Sequence, residues 1–224
     1  MAGILFIISA PSGSGKSTLV SQLRTLVEGL DFSISYTTRA PRGSEENGRE
    51  YHFTTRKEFE RMIAAGDFLE WAEVFGNYYG TAVSALKHAK DLGKDLLLDI
   101  DVQGAVQVMR KLPEAVSIFI LPPSPQVLEM RLRSRSEAEH VAYKTPISED
   151  ELQERLAEAR NELKLMRDYK YALVNNVLDQ AVIELRAIVL CERGVRDGVQ
   201  AIASSCRTDA VSNRLQAALS TFQD

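Results

Sequence analysis

The feature that most constrains this chain is a glycine-rich phosphate-binding pattern that follows an apolar segment near the N-terminus. Residues 4–8 read ILFII, which is typical of a buried strand, and Gly13-Ser-Gly-Lys-Ser-Thr18 follows shortly after. The leucines beyond the pattern recur with helical spacing, so they predict a helix. Between a strand and a helix, such a turn directs backbone N–H groups toward an anion, and the helix N-terminus attracts the same charge. The pattern therefore predicts a nucleoside-triphosphate site.

Within this loop, single residues have distinct predicted roles. Lys16 reaches the outer phosphates as a point charge, and the Ser17 hydroxyl is a ligand for Mg²⁺. The first position of the pattern is Ala10 rather than glycine, which predicts some loss of turn freedom. The alternative is an ordinary glycine-rich turn that holds no nucleotide. The predicted triphosphate-binding residues of the loop are Ala10, Pro11, Ser12, Gly13, Ser14, Gly15, Lys16, Ser17 and Thr18.

Composition narrows the class of protein. The 224 residues suffice for one sizeable domain with insertions, and a net charge of −4 gives no support for nonspecific nucleic-acid binding. Cys191 and Cys206 have neither the spacing of a metal site nor that of a disulfide framework, so we expect free thiols in a reducing cytoplasm. We expect no signal peptide and no membrane-spanning segment. The sequence leaves open whether the chain is a monomer or a homodimer.

Apolar segments that alternate with helical patterns predict an α/β fold, with a parallel β-sheet flanked by helices around the phosphate-binding loop (P-loop). Right-handed crossovers then place the site at the carboxyl ends of the strands. The composition changes abruptly in a β-rich insertion at residues 35–81. A later stretch, with a long helix over about 149–169, is polar nearly all round, so we expect it to pack weakly and to move. The predicted division is a core of 1–34, 82–122 and 170–193, the insertion of 35–81, a helical lid of 123–169, and a tail of 194–224 that is helical in part.

Further expectations concern the bounds of single elements. One strand is predicted over Phe32–Tyr36 and another over Asp95–Asp101. Thr55, with Glu58 three residues later, predicts a capped helix start. A loop is predicted around Thr145-Pro146, and in the tail a loop followed by one short helix.

The insertion contains side chains that suggest a second anion site. Arg39 and Arg42 lie on an irregular loop, and each can contact a phosphate through two parallel N–H groups. Tyr51 and Tyr79 offer hydroxyl donors. Glu70 lies among apolar residues, where a carboxylate can accept two parallel N–H bonds, which guanine offers and adenine does not. The alternatives are a solvated charged loop for the arginines and a surface acid for Glu70.

The motifs of this chain resemble those of the guanylate kinases. The stretch Thr37-Thr38-Arg39-x-x-Arg42-x-x-Glu45-x-x-Gly48-x-x-Tyr51-x-Phe53 fills every fixed position of that family's signature. ISAPSGSGKST, LEWAEVFGNYYGT, LLLDIDVQG and VNNVLDQA follow the family's order and spacing, from about residue 3 to residue 193. The resemblance implies transfer of the γ-phosphate of ATP to GMP or dGMP, with Mg²⁺ as cofactor, in purine nucleotide metabolism and GMP recycling. It also implies that the insertion binds GMP and that the lid closes over ATP.

The same resemblance implies roles for individual residues. The implied GMP-binding residues are Ser35, Arg39, Arg42, Tyr51, Glu70, Tyr79, Thr81 and Asp101. The implied magnesium ligands, partly through water, are Ser17 and Asp99. The implied catalytic residues are Lys16, Arg135 and Arg155. Asn175 resembles the residue that borders the adenine of ATP.

Two departures from the family pattern, and several competing functions, leave alternatives open. Besides Ala10, the segment 138–148 looks inserted into the lid, so either Arg155 or Arg160 is the second lid arginine. The competing functions are a peptide-binding scaffold domain of the same family, a kinase of AMP or a pyrimidine nucleotide, and a regulatory GTP switch. The intact loop with Lys16, the arginine signature and Glu70 favour a guanylate kinase over these.

Overall fold

The chain divides into two compact units, each assembled from two segments of sequence. The structure is a computed structural model that describes residues 3–143, 148–209 and 212–222, with the helical backbone alone in 135–143. Unit 1 comprises Met1–Ile7 and Gly29–Ala115, and unit 2 comprises Ile8–Glu28 and Val116–Asp224. The predicted loop around Thr145-Pro146 lies outside the described residues.

Strands and helices alternate along most of the chain. In the described ranges the strands are β1 (Leu5–Ser9), β2 (Leu30–Phe32), β3 (Tyr36–Thr37), β4 (His52–Phe53), β5 (Phe68–Val74), β6 (Asn77–Ala82), β7 (Asp95–Asp99), β8 (Val116–Leu121) and β9 (Tyr171–Val174). The helices are α1 (Lys16–Leu26), α2 (Arg56–Ala65), α3 (Val83–Asp91), α4 (Val102–Lys111), α5 (Pro125–Tyr143), α6 (Glu149–Leu163), α7 (Leu178–Glu192), α8 (Val199–Ser205) and α9 (Asn213–Ser220). A short 3-10 helix spans Lys164–Asp168. Within these ranges, no helix combines the length and the apolar character that crossing a membrane requires.

The larger sheet has the strand order β2-β7-β1-β8-β9. Strand β2 runs parallel to β7, with Leu30 opposite Asp95, and β8 runs parallel to β9, with Ile118 opposite Tyr171. The strands β1, β7 and β8 are apolar runs that are buried over most of their length, as expected for parallel strands covered on both faces. This parallel sheet with its flanking helices confirms the predicted α/β class.

The predicted strand over Phe32–Tyr36 is wrong, because the chain changes sheets within it. Strand β2 ends at Phe32 in the larger sheet, and β3 begins at Tyr36 in a second, four-stranded sheet of unit 1 with the order β4-β3-β6-β5. Alternation of apolar and polar residues indicates which side chains face a buried side. It does not show where the chain passes from one sheet to another.

The second sheet has its own small core and its own tight hairpin. The rings of Phe59 and Phe68 stack with their centroids 4.3 Å apart, and Met62 completes the buried cluster. Strands β5 and β6 are antiparallel and are joined through Phe75 and Gly76. Both turn residues have a positive φ, 47° and 74°, which suits the twist of a two-residue hairpin.

Helix α2 begins as its sequence predicts. The Thr55 side chain accepts a hydrogen bond from the Glu58 N–H, which confirms the predicted cap, and the helix ends at Gly66 in the left-handed region.

Helix α6 packs more firmly than its sequence predicts. Its residues Leu152, Leu156 and Ala159 form a buried cluster with Leu128 and Leu132 of α5. The expectation of a weakly packed helix that is polar all round is therefore wrong. Apolar residues three and four positions apart form one narrow stripe, which the many charged neighbours conceal in the sequence. The helix ends at Leu163 and continues as the short 3-10 helix, instead of running to about residue 169.

The tail forms two helices rather than the single one predicted. Between them, the Cys206 carbonyl accepts a hydrogen bond of 2.7 Å from the Ala172 N–H, and Arg207 forms an antiparallel bridge with Tyr171. Helix α8 packs against α7, and α9 packs against β9. Phe222, just after α9, packs against the α5–α6 cluster. The tail is thus an integral part of unit 2.

Candidate active site

The phosphate loop follows the carboxyl end of β1 and leads directly into α1. Gly13 and Gly15 have φ values of 86° and 84°, a region that residues with side chains rarely adopt. The Ser14 N–H donates to the Pro11 carbonyl at 3.1 Å, and α1 begins at Lys16. The first turn of α1 contains no acidic side chain, so nothing there offsets the attraction of the helix N-terminus for an anion.

Ala10, which replaces the first glycine of the motif, causes no backbone strain. Among the described residues Phe75 is the one non-glycine residue with a positive φ, so Ala10 does not require the freedom of glycine. The predicted loss of turn freedom therefore does not arise.

Ser14 connects the loop to two other residues of unit 2. Its carbonyl accepts hydrogen bonds from Asn175 Nδ2 at 2.8 Å and from Arg131 Nη1 at 3.2 Å. Arg131 Nη2 also donates to the Asn175 carbonyl at 3.0 Å, and burial lowers the pKa of its guanidinium. The Ser14 hydroxyl is buried and has no hydrogen-bond partner within the described part of the chain. A buried hydroxyl of this kind fits an acceptor such as a phosphate oxygen.

Arg131 was absent from the predicted site. Nothing in its local sequence indicates that its guanidinium contacts the Ser14 carbonyl, 117 residues away along the chain.

Gly15 lies very close to Asn175. A Cβ on Gly15 would be 2.4 Å from Asn175 Nδ2, so glycine is required here by space as well as by φ. The Asn175 N–H in turn donates to the Leu121 carbonyl at 2.8 Å. The structure therefore places Asn175, predicted to border adenine, directly against the phosphate loop.

Three of the residues predicted to read guanine form one buried cluster in unit 1. Glu70 on β5 is opposite Thr81 on β6, and the polar groups of Thr81 lower the pKa of the Glu70 carboxyl against the effect of burial. The Thr81 Oγ1 is 3.5 Å from Ser35 Oγ. The exposed fractions are 1% for Glu70, 0% for Thr81 and 9% for Ser35. Glu70 is thus buried, in contrast to the alternative of a surface acid.

The environment of Glu70 favours its neutral form. Burial raises the pKa of this carboxyl to about 7, and the nearby charge of Asp101 acts in the same direction. The hydrogen bonds from Thr81 and the charge of Lys111 oppose this shift. Near neutral pH the carboxyl is therefore close to half ionised.

Asp101 caps α4 instead of ending a strand. The predicted strand over Asp95–Asp101 is too long, because β7 ends at Asp99. Asp101 Oδ1 accepts hydrogen bonds from the N–H groups of Gln103 and Gly104, at 2.8 and 3.0 Å. A carboxylate that satisfies two helix-terminal donors in this way is a strong N-cap. This leaves Oδ2 as the oxygen available to a ligand.

Arg39 forms the centre of the predicted phosphate cradle. Its guanidinium lies 5.3 Å from the ring centroid of Tyr51, and it interacts with the Tyr79 hydroxyl. The rings of Tyr51 and Tyr79 are 5.9 Å apart. The structure therefore brings these three predicted residues together.

Glu45 holds both arginines of this loop, a role that the sequence analysis did not assign. It binds Arg39 through two hydrogen bonds of 3.0 Å, from Nη1 to Oε2 and from Nη2 to Oε1. Its Oε2 also accepts the Arg42 N–H at 2.7 Å. Burial alone would raise the pKa of Glu45, but these contacts lower it overall. The signal was visible, since Glu45 is a fixed position of the signature.

The predicted lid arginines lie on α5 and α6. Arg155 Nη2 donates to Glu151 Oε1 at 2.6 Å within α6, while Arg160 is exposed. The side chain of Arg135 lies outside the described residues.

The predicted magnesium ligands have suitable chemistry. Ser17 offers a hydroxyl in the exposed first turn of α1, and Asp99 offers a carboxylate at the end of β7. Hard oxygen donors fit Mg²⁺, which binds few protein ligands and keeps several waters or phosphate oxygens. In the ranges that the structure describes, His, Cys, Asp and Glu side chains form no metal-binding group of three or more.

One unit of the chain thus carries a phosphate-binding loop, and the other carries a buried carboxylate cluster and an oriented arginine. With the parallel sheet, these features define an α/β P-loop protein that has a second polar ligand site. The sequence model of the guanylate kinase family matches residues 3–192, and the chain belongs to that family.

Similar proteins cover nearly the whole chain. A guanylate kinase of Koribacter versatilis is 52% identical over 233 aligned positions, which cover 100% of this chain and 97% of the relative. A guanylate kinase of Shewanella oneidensis is 46% identical over 192 positions, which cover 85% of this chain and 88% of the relative. The crystal structure of guanylate kinase from Anaplasma phagocytophilum matches 91% of this chain and 95% of its own, with a TM-score of 0.69 and 31% identity.

Proposed function

We propose that this chain transfers the γ-phosphate of ATP to GMP, giving ADP and GDP. The observation that carries the proposal is the buried carboxylate of Glu70. An ionised carboxylate offers about four acceptor positions, and it can accept from the two adjacent N–H groups of a guanine edge. Adenine, uracil and thymine present no such pair of donors, so the carboxylate favours guanine.

The chain's own residues bind, orient and neutralise charge. Arg39, held by Glu45 beside Tyr51, binds the phosphate of GMP, with Arg42 on the same loop. Lys16 and the loop N–H groups bind the outer phosphates of ATP. The GMP phosphate oxygen attacks the γ-phosphorus in line. Because that oxygen is ionised near neutral pH, no general base is required.

The transferring phosphoryl group needs positive charge and protection from water. Lys16 supplies positive charge at the loop, and we assign Arg135 and Arg155 of the lid the same task, with Arg160 as the alternative to Arg155. A bound Mg²⁺, with Ser17 and Asp99 as its ligands, would neutralise charge on the ATP phosphates. We also propose that the lid closes over ATP, since hydrolysis would otherwise compete with transfer.

The experiment is a measurement of ADP formation from MgATP with GMP, dGMP, AMP, UMP and dTMP supplied separately. We expect strong turnover with the guanine nucleotides alone. The control is Lys16→Ala, which should lower turnover by about a thousandfold or more while the protein stays folded. If the folded protein binds GMP and phosphorylates nothing, it is a binding domain rather than a kinase. If AMP or a pyrimidine nucleotide is preferred, the assignment of Glu70 is wrong.

A cytoplasmic location is part of the proposal. It is supported by Cys191 and Cys206, which form no disulfide and suit a reducing compartment.

A further inference from the structure

The tail contains an arginine that contacts the segment next to Asn175. Arg214 of α9 donates to the Val174 carbonyl at the end of β9 and forms an ion pair with Glu184 of α7. Glu184 also accepts a hydrogen bond of 3.2 Å from Gln180 Nε2. Val174 and Glu184 are both buried. The arginine therefore satisfies two buried acceptors on two different elements, which a solvated surface charge would not do.

The carbonyl that Arg214 binds belongs to the peptide unit between Val174 and Asn175. On its other side, the N–H of the same peptide unit donates to the Leu121 carbonyl at 2.8 Å. Because a peptide unit is planar, these two contacts fix its orientation. That orientation sets the direction in which the Asn175 side chain leaves the backbone, and Asn175 Nδ2 binds the Ser14 carbonyl of the phosphate loop.

We propose that Arg214 is a positioning residue for the ATP site. It acts through the peptide unit between Val174 and Asn175, and through the Asn175 side chain, on the phosphate loop at Ser14. The inference rests on the proposed transfer from ATP to GMP and extends it to a tail that lies beyond residues 3–192 of the family match. The similarity to the Koribacter versatilis relative, in contrast, covers the whole chain, tail included.

Removal of Arg214 has a predictable physical effect. It leaves Glu184 buried without its cation and removes one of the two donors to the Val174 carbonyl, the other being the Asn176 N–H at 3.0 Å. The peptide unit then loses one of the three contacts that orient it, and the Asn175 side chain is held less firmly toward Ser14. Since the residues affected belong to unit 2, and the predicted GMP-binding residues belong to unit 1, the effect should fall on ATP alone.

The experiment compares Arg214→Met with Arg207→Met. Both variants remove one positive charge from the tail, but the Arg207 guanidinium pairs with exposed Asp209 and has no contact with Val174 among those described. Arg214→Met should raise the KM for ATP about tenfold and leave the KM for GMP within about twofold of the native value. Arg207→Met should change neither constant. Equal changes in both constants, or an unchanged KM for ATP, would overturn the inference.

Two additions keep the test decisive. If Arg214→Met does not fold, Arg214→Lys replaces it. Lysine keeps the positive charge beside Glu184, but it lacks the two guanidinium nitrogens with which Arg214 contacts Glu184 and the Val174 carbonyl at once. Arg214→Lys should also raise the KM for ATP and leave the KM for GMP unchanged, but its effect on the KM for ATP should be smaller than that of Arg214→Met. Direct titration of each variant with MgATP in a calorimeter needs no acceptor nucleotide. A native protein that binds ATP but phosphorylates no GMP would contradict the proposed function, and the ATP affinities would still decide the role of Arg214.

Discussion

Gly104 lies so close to Glu70 that a Cβ on the glycine would be 2.4 Å from Glu70 Oε2. Gly104 is in the first turn of α4, and it is not among the glycines with a positive φ. Other residues could adopt this backbone conformation. Glycine is needed at this position because a side chain would collide with Glu70. The space that the glycine leaves is where the carboxylate of Glu70 lies.

Gly104→Ala should separate ligand binding from stability. The new methyl group displaces the Glu70 carboxylate, so the KM for GMP should rise about tenfold, equivalent to about 1.4 kcal/mol. The free energy of unfolding should not fall, because alanine in a helix is favoured over glycine by about 1 kcal/mol. Steady-state kinetics and denaturant unfolding measure the two effects. The control is Gln103→Ala, an exposed neighbour in the same turn, and an unchanged KM for GMP in Gly104→Ala would show that Glu70 does not read guanine.

Guanine binding should depend on pH through Glu70. Its pKa in the free protein is raised to about 7, and guanine requires the ionised carboxylate. Affinity should therefore fall below pH 7, by about tenfold per pH unit. Guanosine is the better probe, because the phosphate of GMP titrates in the same range. Glu70→Gln should bind guanosine weakly and without this pH dependence; a native affinity that is flat between pH 5.5 and 7 would contradict the assignment.

The same carboxyl should make the ligand-free protein less stable as pH rises. Its folded-state pKa lies above its unfolded value, so its stabilising contribution is complete below the unfolded pKa and is lost as pH rises through about 7. The loss amounts to about 3 kcal/mol. Denaturant unfolding at pH 5 and pH 8 measures it as a difference between the native chain and Glu70→Gln. The free energy of unfolding of the native chain should fall relative to that of the variant between pH 5 and pH 8. If it changes equally with pH in both proteins, the pKa of Glu70 is not raised by burial.

Glu45 should matter for the phosphate of GMP and not for the base. Glu45→Gln removes the charge that holds Arg39 and Arg42 in place, so the Kd for GMP should rise about tenfold while that for guanosine stays constant. Glu46→Gln is the matched control, since Glu46 is exposed and pairs with Arg49. Equal losses for GMP and guanosine would mean that Glu45 supports the whole insertion rather than the arginines.

The two thiols should differ in reactivity. Cys206 lies in the tail and is buried, and burial raises the pKa of its thiol to about 11, whereas Cys191 is partly exposed. At pH 8 a disulfide reagent should modify one thiol rapidly in the folded chain and both after denaturation. Cys191→Ser should abolish the rapid phase. Rapid reaction of Cys206 in that variant would show that the tail detaches in solution.

The sequence indicated those candidate site residues that belong to contiguous patterns. The phosphate loop and the arginine signature are local patterns, and Glu70 was identified from the apolar character of its neighbours. Arg131 and Arg214 were missed because they act on backbone carbonyls far along the chain, 117 residues away at Ser14 for Arg131 and 40 away at Val174 for Arg214. No local pattern encodes a contact of that kind.

Gly104 and the apolar stripe of α6 were missed for a different reason. The role of Gly104 depends on a side chain that approaches from another element, and the stripe on α6 is narrow beside many charged residues. Both become evident only when the neighbouring element is known.

Each unit is assembled from two separate segments of the chain, and this affects the order in which the units can fold during synthesis. Unit 1 is complete once Ala115 has been made, whereas unit 2 requires its early segment Ile8–Glu28 to meet residues from Val116 onward, which are made later. The bond from Asn175 to Ser14 spans 161 residues, and closing so long a loop costs chain entropy and slows folding. A growing polypeptide should thus recognise guanine well before it holds a triphosphate. Phosphate transfer, which needs both nucleotides, should therefore appear after guanine binding.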